Sequence, residues 1–494
     1  MTIAPVAKIR DAAERLLAAG RLGEAAQLLT GALGRIDAGD RPALAPLLAR
    51  TLGAIDPPGY HPRFETDLLA CFALPADHQL LARTTARLLL HKYRNGWSGA
   101  SGDVLLTTFL SHCINVDPAM ERQLLKLRAK TRDDALMTAL ALQAEANEYV
   151  WPNDRPAAVN SPLVSAMFAR PSSPKGLPPS LADRLFAEPA RRAALAAMIP
   201  HLGSTGDAVS GAVREHYDDN PYPRWQALPA PRPGALIAHI RTLPGLSDFA
   251  DPARLLVAGC GTGYEAIDLA GACPTAEIVA LDLSATALGH AASKAEDAGI
   301  ATIRWLCGDI LALPALTGQS DVATSTGVIH HMADPAAGLA AVAAAVRPGG
   351  VVRVAVYSRR ARTLVAQAHA LIAEQGWQPD LTGIRALRAH ILALPAEAPL
   401  AALRDSDDFY SASGCRDLLF HRYERTFDLP DLLQTARGAG LLPLALDVDG
   451  DAARRYAELL GKPVDLTDFT GWQRVEAHWP QLFAGMYHLW CRKP

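Results

Sequence analysis

"LLVAGCGTGYEAIDLA", residues 255–270, is the stretch whose reading decides the fold of the second half of this chain. The apolar run Leu255–Ala258 leads into glycines spaced two apart, Gly259, Gly261 and Gly263, and a helix-like run follows. Glycine adopts positive φ without a Cβ penalty, so this turn suits a backbone passing close to a ligand. A dinucleotide-binding GxGxxG needs a glycine at position 264, and that residue is Tyr264. The phosphate-cradling pattern of GxxxxGK followed by Ser or Thr is also absent here. A tight strand–helix turn with no ligand remains the other reading at this point.

Outward from the turn, short apolar runs alternate with helical patterns. "RLLVAG", "EIVALD", "TIRWLCGD", "SDVATST" and "GGVVRVAVYS" read as strands, with "YEAIDLAGA", "ATALGHAASKAEDAG" and "DPAAGLAAVAAAVRP" as helices between them. Alternation of this kind builds an α/β domain with a parallel sheet and helices on both faces. After a helical interruption at 358–440, "LLPLALDV" and "GMYHLWCR" read as two closing strands. Upstream the pattern is helical. Residues 5–53 read as paired amphipathic helices around "AAGRLGEAAQLL", which resembles one tetratricopeptide-type hairpin. An array needs several such units at a period of about 34 residues, and a second is not legible. Residues 1–150 are therefore expected to form an all-helical (tetratricopeptide-like) domain. Residues 151–212 are expected to be a Pro-rich linker with connecting helices, and 213–494 an α/β domain carrying the 358–440 insertion.

With 494 residues the chain is long for a single core. Residues 1–200 carry 23 Lys/Arg against 19 Asp/Glu, and the remainder 25 against 32, so the half with the glycines is acidic. A nucleic-acid enzyme more often shows a basic footprint, and no nucleic-acid partner is expected. Seven cysteines are scattered without a CxxC pair, which points to free thiols in a reducing compartment, with no metal site. The N-terminus lacks the apolar core of a signal peptide and no apolar run reaches 18 residues, so a cytoplasmic protein with no membrane association is expected.

The strand ends settle the ligand. Asp282 closes the second strand about 20 residues beyond the glycines, where a carboxylate can accept from ribose hydroxyls. "CGDI" (307–310) closes the third, "STGVIHHMADP" (325–335) the fourth, and "VRPGG" (346–350) precedes the fifth. Open α/β sheets bind ligands at these C-terminal ends. Together the motifs resemble a class I S-adenosylmethionine-dependent methyltransferase over roughly residues 250–357. The resemblance implies a Rossmann-like, seven-stranded domain. It also implies that Gly259, Gly261 and Gly263 approach the methionine part of the cofactor, that Asp282 and Leu283 hold the ribose, and that Asp309 and Ile310 hold the adenine. "VREHYDDNPYPRW" (213–225), "NEYVW" (147–151), "SGCRDLLFHRYERTFDLPDL" (413–432) and "FAGMYHLWCRK" (483–493) resemble a bacterial group of such enzymes with helical N-terminal regions. The resemblance leaves the methyl acceptor open: a small molecule, or a side chain of a protein partner docked on the helical domain. The alternative is a cofactor-binding interaction protein that transfers nothing.

Methyl transfer needs an oriented acceptor, and a general base only where the acceptor must lose a proton. His330 and His331 follow the fourth strand and either contact the acceptor, one as its base, or pack as loop histidines beneath the cofactor. His421 is a weaker candidate of the same kind. Aromatic residues make up 6% of the chain, yet Tyr217, Tyr222 and Trp225 fall within nine residues, interleaved with Pro221 and Pro223. Prolines stiffen such a segment and push the residue before each toward extended geometry. It reads either as a lid over the site, with Arg224 on the cofactor's carboxylate and Tyr222 near the acceptor, or as a strap whose rings bury apolar area. Arg416, Arg422, Tyr410, Tyr423 and Glu424 lie in the insertion, where they either line an acceptor pocket or face solvent.

Overall fold

The computed structural model describes residues 6–154, 161–203, 208–219, 221–225, 227–421 and 423–494. Two compact units result. The first comprises residues 1–189, 225–230 and 375–418; the second comprises 190–224, 231–374 and 419–494. The stretch read as one insertion, 358–440, is thus divided between them.

The first unit is helical, beginning with Val6–Ala18 and Leu22–Leu33. Asp103, Asp117 and Asp133 each precede a helix and accept hydrogen bonds from its first free amides. These caps explain why the helices start where they do. Residues 375–418 are joined to this unit by Arg388, whose guanidinium pairs with Glu121 at 2.8 Å with both side chains almost fully buried. Removing either partner would strand a charge in the interior. That coupling holds a distant stretch of chain to the N-terminal helices.

The second unit is a sheet of eight strands: β1 (His201–Leu202), β2 (Arg254–Ala258), β3 (Glu277–Asp282), β4 (Ile303–Gly308), β5 (Ser320–Thr326), β6 (Val346–Val356), β7 (Leu442–Asp447) and β8 (Tyr487–Arg492). Their order is β1-β4-β3-β2-β5-β6-β8-β7. Neighbours from β1 to β6 run parallel, and β8 is antiparallel to both β6 and β7. The seven expected strands are joined by an eighth, β1. Two residues are too few to show alternation, so the sequence gives no sign of it. It pairs His201 with Cys307 and Leu202 with Gly308 at the edge.

The chain runs from β2 outward through β3 to β4, then returns to the other side of β2 as β5. This reversal is a topological switch point, and the C-terminal end of β2 opens into its crevice. Leu256, Ala258, Leu281, Ala323, Val352 and Val354 fill the sheet's core. The helix Pro335–Ala345 packs there too, started by Asp334, whose Oδ1 accepts from the Ala336 and Ala337 amides. Its alanines present little bulk, which favours close approach to the sheet. All seven cysteines are buried and unpaired, and among the described residues no helix is long and apolar enough to cross a membrane.

Candidate functional site

The turn after β2 has its three glycines at φ +80°, +51° and +89°, a region costly to other residues. The reasons for glycine differ along it. A Cβ on Gly259 would lie 2.4 Å from Val328 Cγ2 in the loop after β5, and one on Gly263 would lie 2.5 Å from Ala291 Cβ. These two glycines let the turn pack between its neighbours. A Cβ on Gly261 would instead meet the carbonyl oxygen of Tyr222 at 3.0 Å.

Asp282, at the end of β3, clasps this turn. Its Oδ2 accepts from the Gly261 amide at 2.7 Å and its Oδ1 from the Ser284 amide at 2.9 Å. Burial pushes its carboxyl pKa up, opposed by these amides and reinforced by the charge of Asp218. The Leu283 amide also hydrogen-bonds this carboxylate, and since a carboxylate offers about four lone-pair sites, some acceptor capacity is left. Leu283 is half-buried and its carbonyl accepts from Cys307 Sγ at 3.6 Å. Asp309 is buried beyond β4, and its Oδ1 caps the turn Ile310–Leu316 by accepting from the Leu311 amide at 2.9 Å. Ile310 is buried in the core.

The segment before β2 crosses the glycine turn. Thr262 Oγ1 donates to the Pro223 carbonyl at 2.6 Å. On the helix Ala208–Asp219, Asp218 Oδ1 accepts from Ser284 Oγ at 2.7 Å. Tyr222 and Arg224 are half-buried. Trp225, half-buried too, belongs to the first unit. Thr262, Asp218 and Ser284 were not among the expected site residues. Each lies within or beside a quoted motif, but a hydroxyl or carboxylate that latches two loops has no periodicity or spacing to announce it.

A second constellation gathers rings beyond β5 and β6. His330 and His331 form a one-turn helix, Ile329–His331. The His331 ring stacks on His421 at 3.7 Å between centroids. His216 and Tyr217 reach His421 at 4.9 and 6.0 Å, and Tyr357 reaches His330 at 4.3 Å. Behind them Arg362 lies 3.3 Å over the Tyr357 ring and pairs with Glu424 at 2.9 Å, both side chains buried. The Tyr423 backbone sets the tautomers of the stacked pair. Its carbonyl accepts from His331 Nδ1 at 2.8 Å, and its amide donates to His421 Nδ1 at 3.3 Å. Neutral His331 therefore keeps its lone pair at Nε2, whereas neutral His421 carries its proton there. Neither ring nitrogen of His330, which is 1% exposed, has a hydrogen-bond partner. Burial is the main reason all three titrate low: His330 and His331 far below the ordinary range, and His421 at about 2. Each imidazole is consequently neutral at pH 7.

The remaining insertion residues diverge. Glu424 joins this constellation, and Tyr423 supports it through its backbone while its side chain is exposed. Tyr410 is buried in the first unit with its hydroxyl donating to the Arg404 carbonyl. Arg416 there donates from Nε to the Pro379 carbonyl at 2.8 Å. Arg422 lies outside the described residues.

Comparison with known proteins finds a methyltransferase domain over residues 255–350. An uncharacterized protein of Synechococcus sp. is 30% identical over 48% of this chain and 59% of its own length. The release factor glutamine methyltransferase of Deinococcus radiodurans is 33% identical over 39% of this chain and 76% of its own length. The solved structure of PKMT2 from Rickettsia typhi superposes with a TM-score of 0.42 at 15% identity, over 52% of each chain. The chain thus spans a little over half of the Synechococcus relative.

Proposed function

Because the chain belongs to the class I S-adenosylmethionine-dependent methyltransferases, we propose that it transfers a methyl group from that cofactor to an acceptor met by the loops after β5 and β6. The observation that carries this reading is the clasp of Asp282 on Gly261 at the switch point of the sheet, beneath the 221–224 segment. In this reading the turn Gly259–Gly263 takes the methionine end, Asp282 and Leu283 the ribose, and Asp309 and Ile310 the adenine. The acceptor capacity left on Asp282 suits a ribose hydroxyl. Tyr217, Tyr222 and Arg224 act as a lid, and the Arg224 guanidinium receives the cofactor's carboxylate.

When bound, S-adenosylmethionine supplies an electrophilic methyl group on a sulfonium. The chain's own contribution is to orient the acceptor, exclude water and hold a proton where one must leave. His331 suits the orienting role: its tautomer directs a lone pair to Nε2, and burial keeps the ring neutral, so it can accept a hydrogen bond from the acceptor. His330 contacts the acceptor through ring nitrogens that the protein leaves without partners, and Tyr222 serves the acceptor from the lid segment. The acceptor is a small molecule or a protein side chain, presented in the second case by a partner held on the N-terminal helices. Seven buried, unpaired thiols suit a cytoplasmic setting.

Incubating the purified protein with methyl-labelled cofactor and a bacterial lysate, followed by size fractionation, tests the proposal. A labelled species should appear with the wild-type protein and vanish with Asp282→Ala. Label no higher than in a protein-free control, from a protein that binds the cofactor, would reject catalysis.

A further inference from the structure

Consecutive residues near the end of the helix Ala208–Asp219 make contacts on two sides of it. His216 and Tyr217 bring their rings to 4.9 and 6.0 Å from His421, which stacks on His331. Asp218, the next residue, takes the other side. Its Oδ1 accepts from Ser284 Oγ at 2.7 Å, and the Thr286 amide approaches the same oxygen at 3.5 Å. Successive helical residues project about 100° apart, so these three side chains span roughly 200° of the helix surface. The helix end is thereby held between the histidine rings and the loop after β3. It cannot turn far about its axis without losing one of the two contacts.

Ser284 joins this helix to the carboxylate at the glycine turn. Its hydroxyl donates to Asp218 while accepting from the Ala287 amide at 3.0 Å, as the cap of the helix Ala285–Asp297. Its own amide donates to Asp282 Oδ1, and Asp282 Oδ2 in turn receives the Gly261 amide. The charge of Asp218 opposes ionisation of Asp282, so the latched arrangement holds two carboxylates near each other at a cost. A ribose hydroxyl donating to Asp282 offsets that repulsion, which a released helix end would not feel. The cofactor therefore favours the latched arrangement over the released one, and such a difference is what a ligand needs in order to shift a conformation.

Given the cofactor reading above, on which this rests, we propose that Asp218 is a positioning residue: through Ser284 it ties ribose occupancy at Asp282 to the placement of His216 and Tyr217 against His421. Asp218 itself touches neither cofactor nor acceptor and acts through its neighbours. The rings that meet the acceptor are then set in place once the cofactor is bound, so the cofactor binds first.

NMR of the full chain with isotope-labelled histidine, with and without saturating S-adenosylhomocysteine, tests this, the His421 signal being assigned through His421→Gln. In the wild-type protein that signal should move on binding. Asp218→Ala should lose at least half of the movement, yet weaken S-adenosylhomocysteine by less than about tenfold in calorimetry, because Asp282 keeps its own amides. Ser284→Ala removes the same bond from the other partner and should reproduce the loss. Asp218→Asn keeps an acceptor for the hydroxyl and removes the charge, so its ligand-free signal should already lie toward the wild-type bound position. A wild-type signal that stays still although the ligand binds, or full movement in Asp218→Ala, would overturn the proposal. So would an Asp218→Asn signal indistinguishable from that of Asp218→Ala, or loss of fold in both alanine variants, since the bond would then serve stability alone. Wild-type protein that does not bind S-adenosylhomocysteine would instead reject the cofactor reading itself.

Discussion

The glycine turn and the histidine constellation occupy one unit and are built in opposite ways. The turn is made of backbone: three positive φ values, and one carboxylate receiving two amides within a contiguous span of chain. The constellation is made of side chains from four separate segments, around residues 216, 330, 357 and 421. Backbone geometry tolerates almost no substitution, whereas packed rings can exchange partners and alter what they recognise. This contrast suits a common cofactor at the turn and a particular acceptor at the rings.

Valine in place of Gly263 should have the largest effect. It combines a φ of +89° with a Cβ 2.5 Å from Ala291, so a loss of about 3 kcal/mol or more in stability is expected by denaturant unfolding. Gly261→Ala should separate packing from binding, since its Cβ meets only the Tyr222 carbonyl and Pro223. The variant should fold and lose cofactor affinity. If Gly263→Val is as stable as wild type, the turn is not the rigid half of the comparison.

Asp282→Ala comes next. Loss of charge-assisted hydrogen bonds to the ribose should weaken S-adenosylhomocysteine by about 2–4 kcal/mol, roughly 30- to 1000-fold, in a calorimetric titration. The Gly261 and Ser284 amides also lose their acceptor, so the ligand-free protein should melt somewhat lower. Unchanged affinity would mean that the ribose is held elsewhere.

The rings should reveal themselves through pH. His330, His331 and His421 titrate lower folded than unfolded, so below their unfolded value of about 6.5 the unfolded chain binds more protons. Stability should fall as pH drops below that value, by about 1.4 kcal/mol per pH unit for each histidine kept neutral. Arg362 and the neighbouring imidazole of His216 reinforce the effect, while Glu424 is paired with Arg362. Replacing His421 with glutamine should flatten the slope, and an unaltered slope would place the responsible groups elsewhere. Thr262→Val should have the smallest effect. Losing one hydrogen bond to Pro223, worth about 1 kcal/mol, should speed cofactor release roughly fivefold in stopped-flow measurements.

The same contrast explains what was legible in the sequence. Gly259 to Gly263, Asp282 and Asp309 could be located because each motif sits at a strand end whose apolar run announces it. The pairing of His331 with His421, and the Tyr423 backbone between them, has no local signal because chain separation hides it. The two-residue strand β1 and the Arg388–Glu121 pair escaped for related reasons, one too short and the other too distant in sequence.

Hydrogen exchange with and without S-adenosylhomocysteine tests the central claim, that the cofactor lies at the glycine turn beneath the segment preceding β2. Bound ligand should slow exchange in peptides covering 255–265 and 213–224 more than anywhere in residues 1–150. Protection absent from 255–265, or confined to the N-terminal helices, would contradict the account.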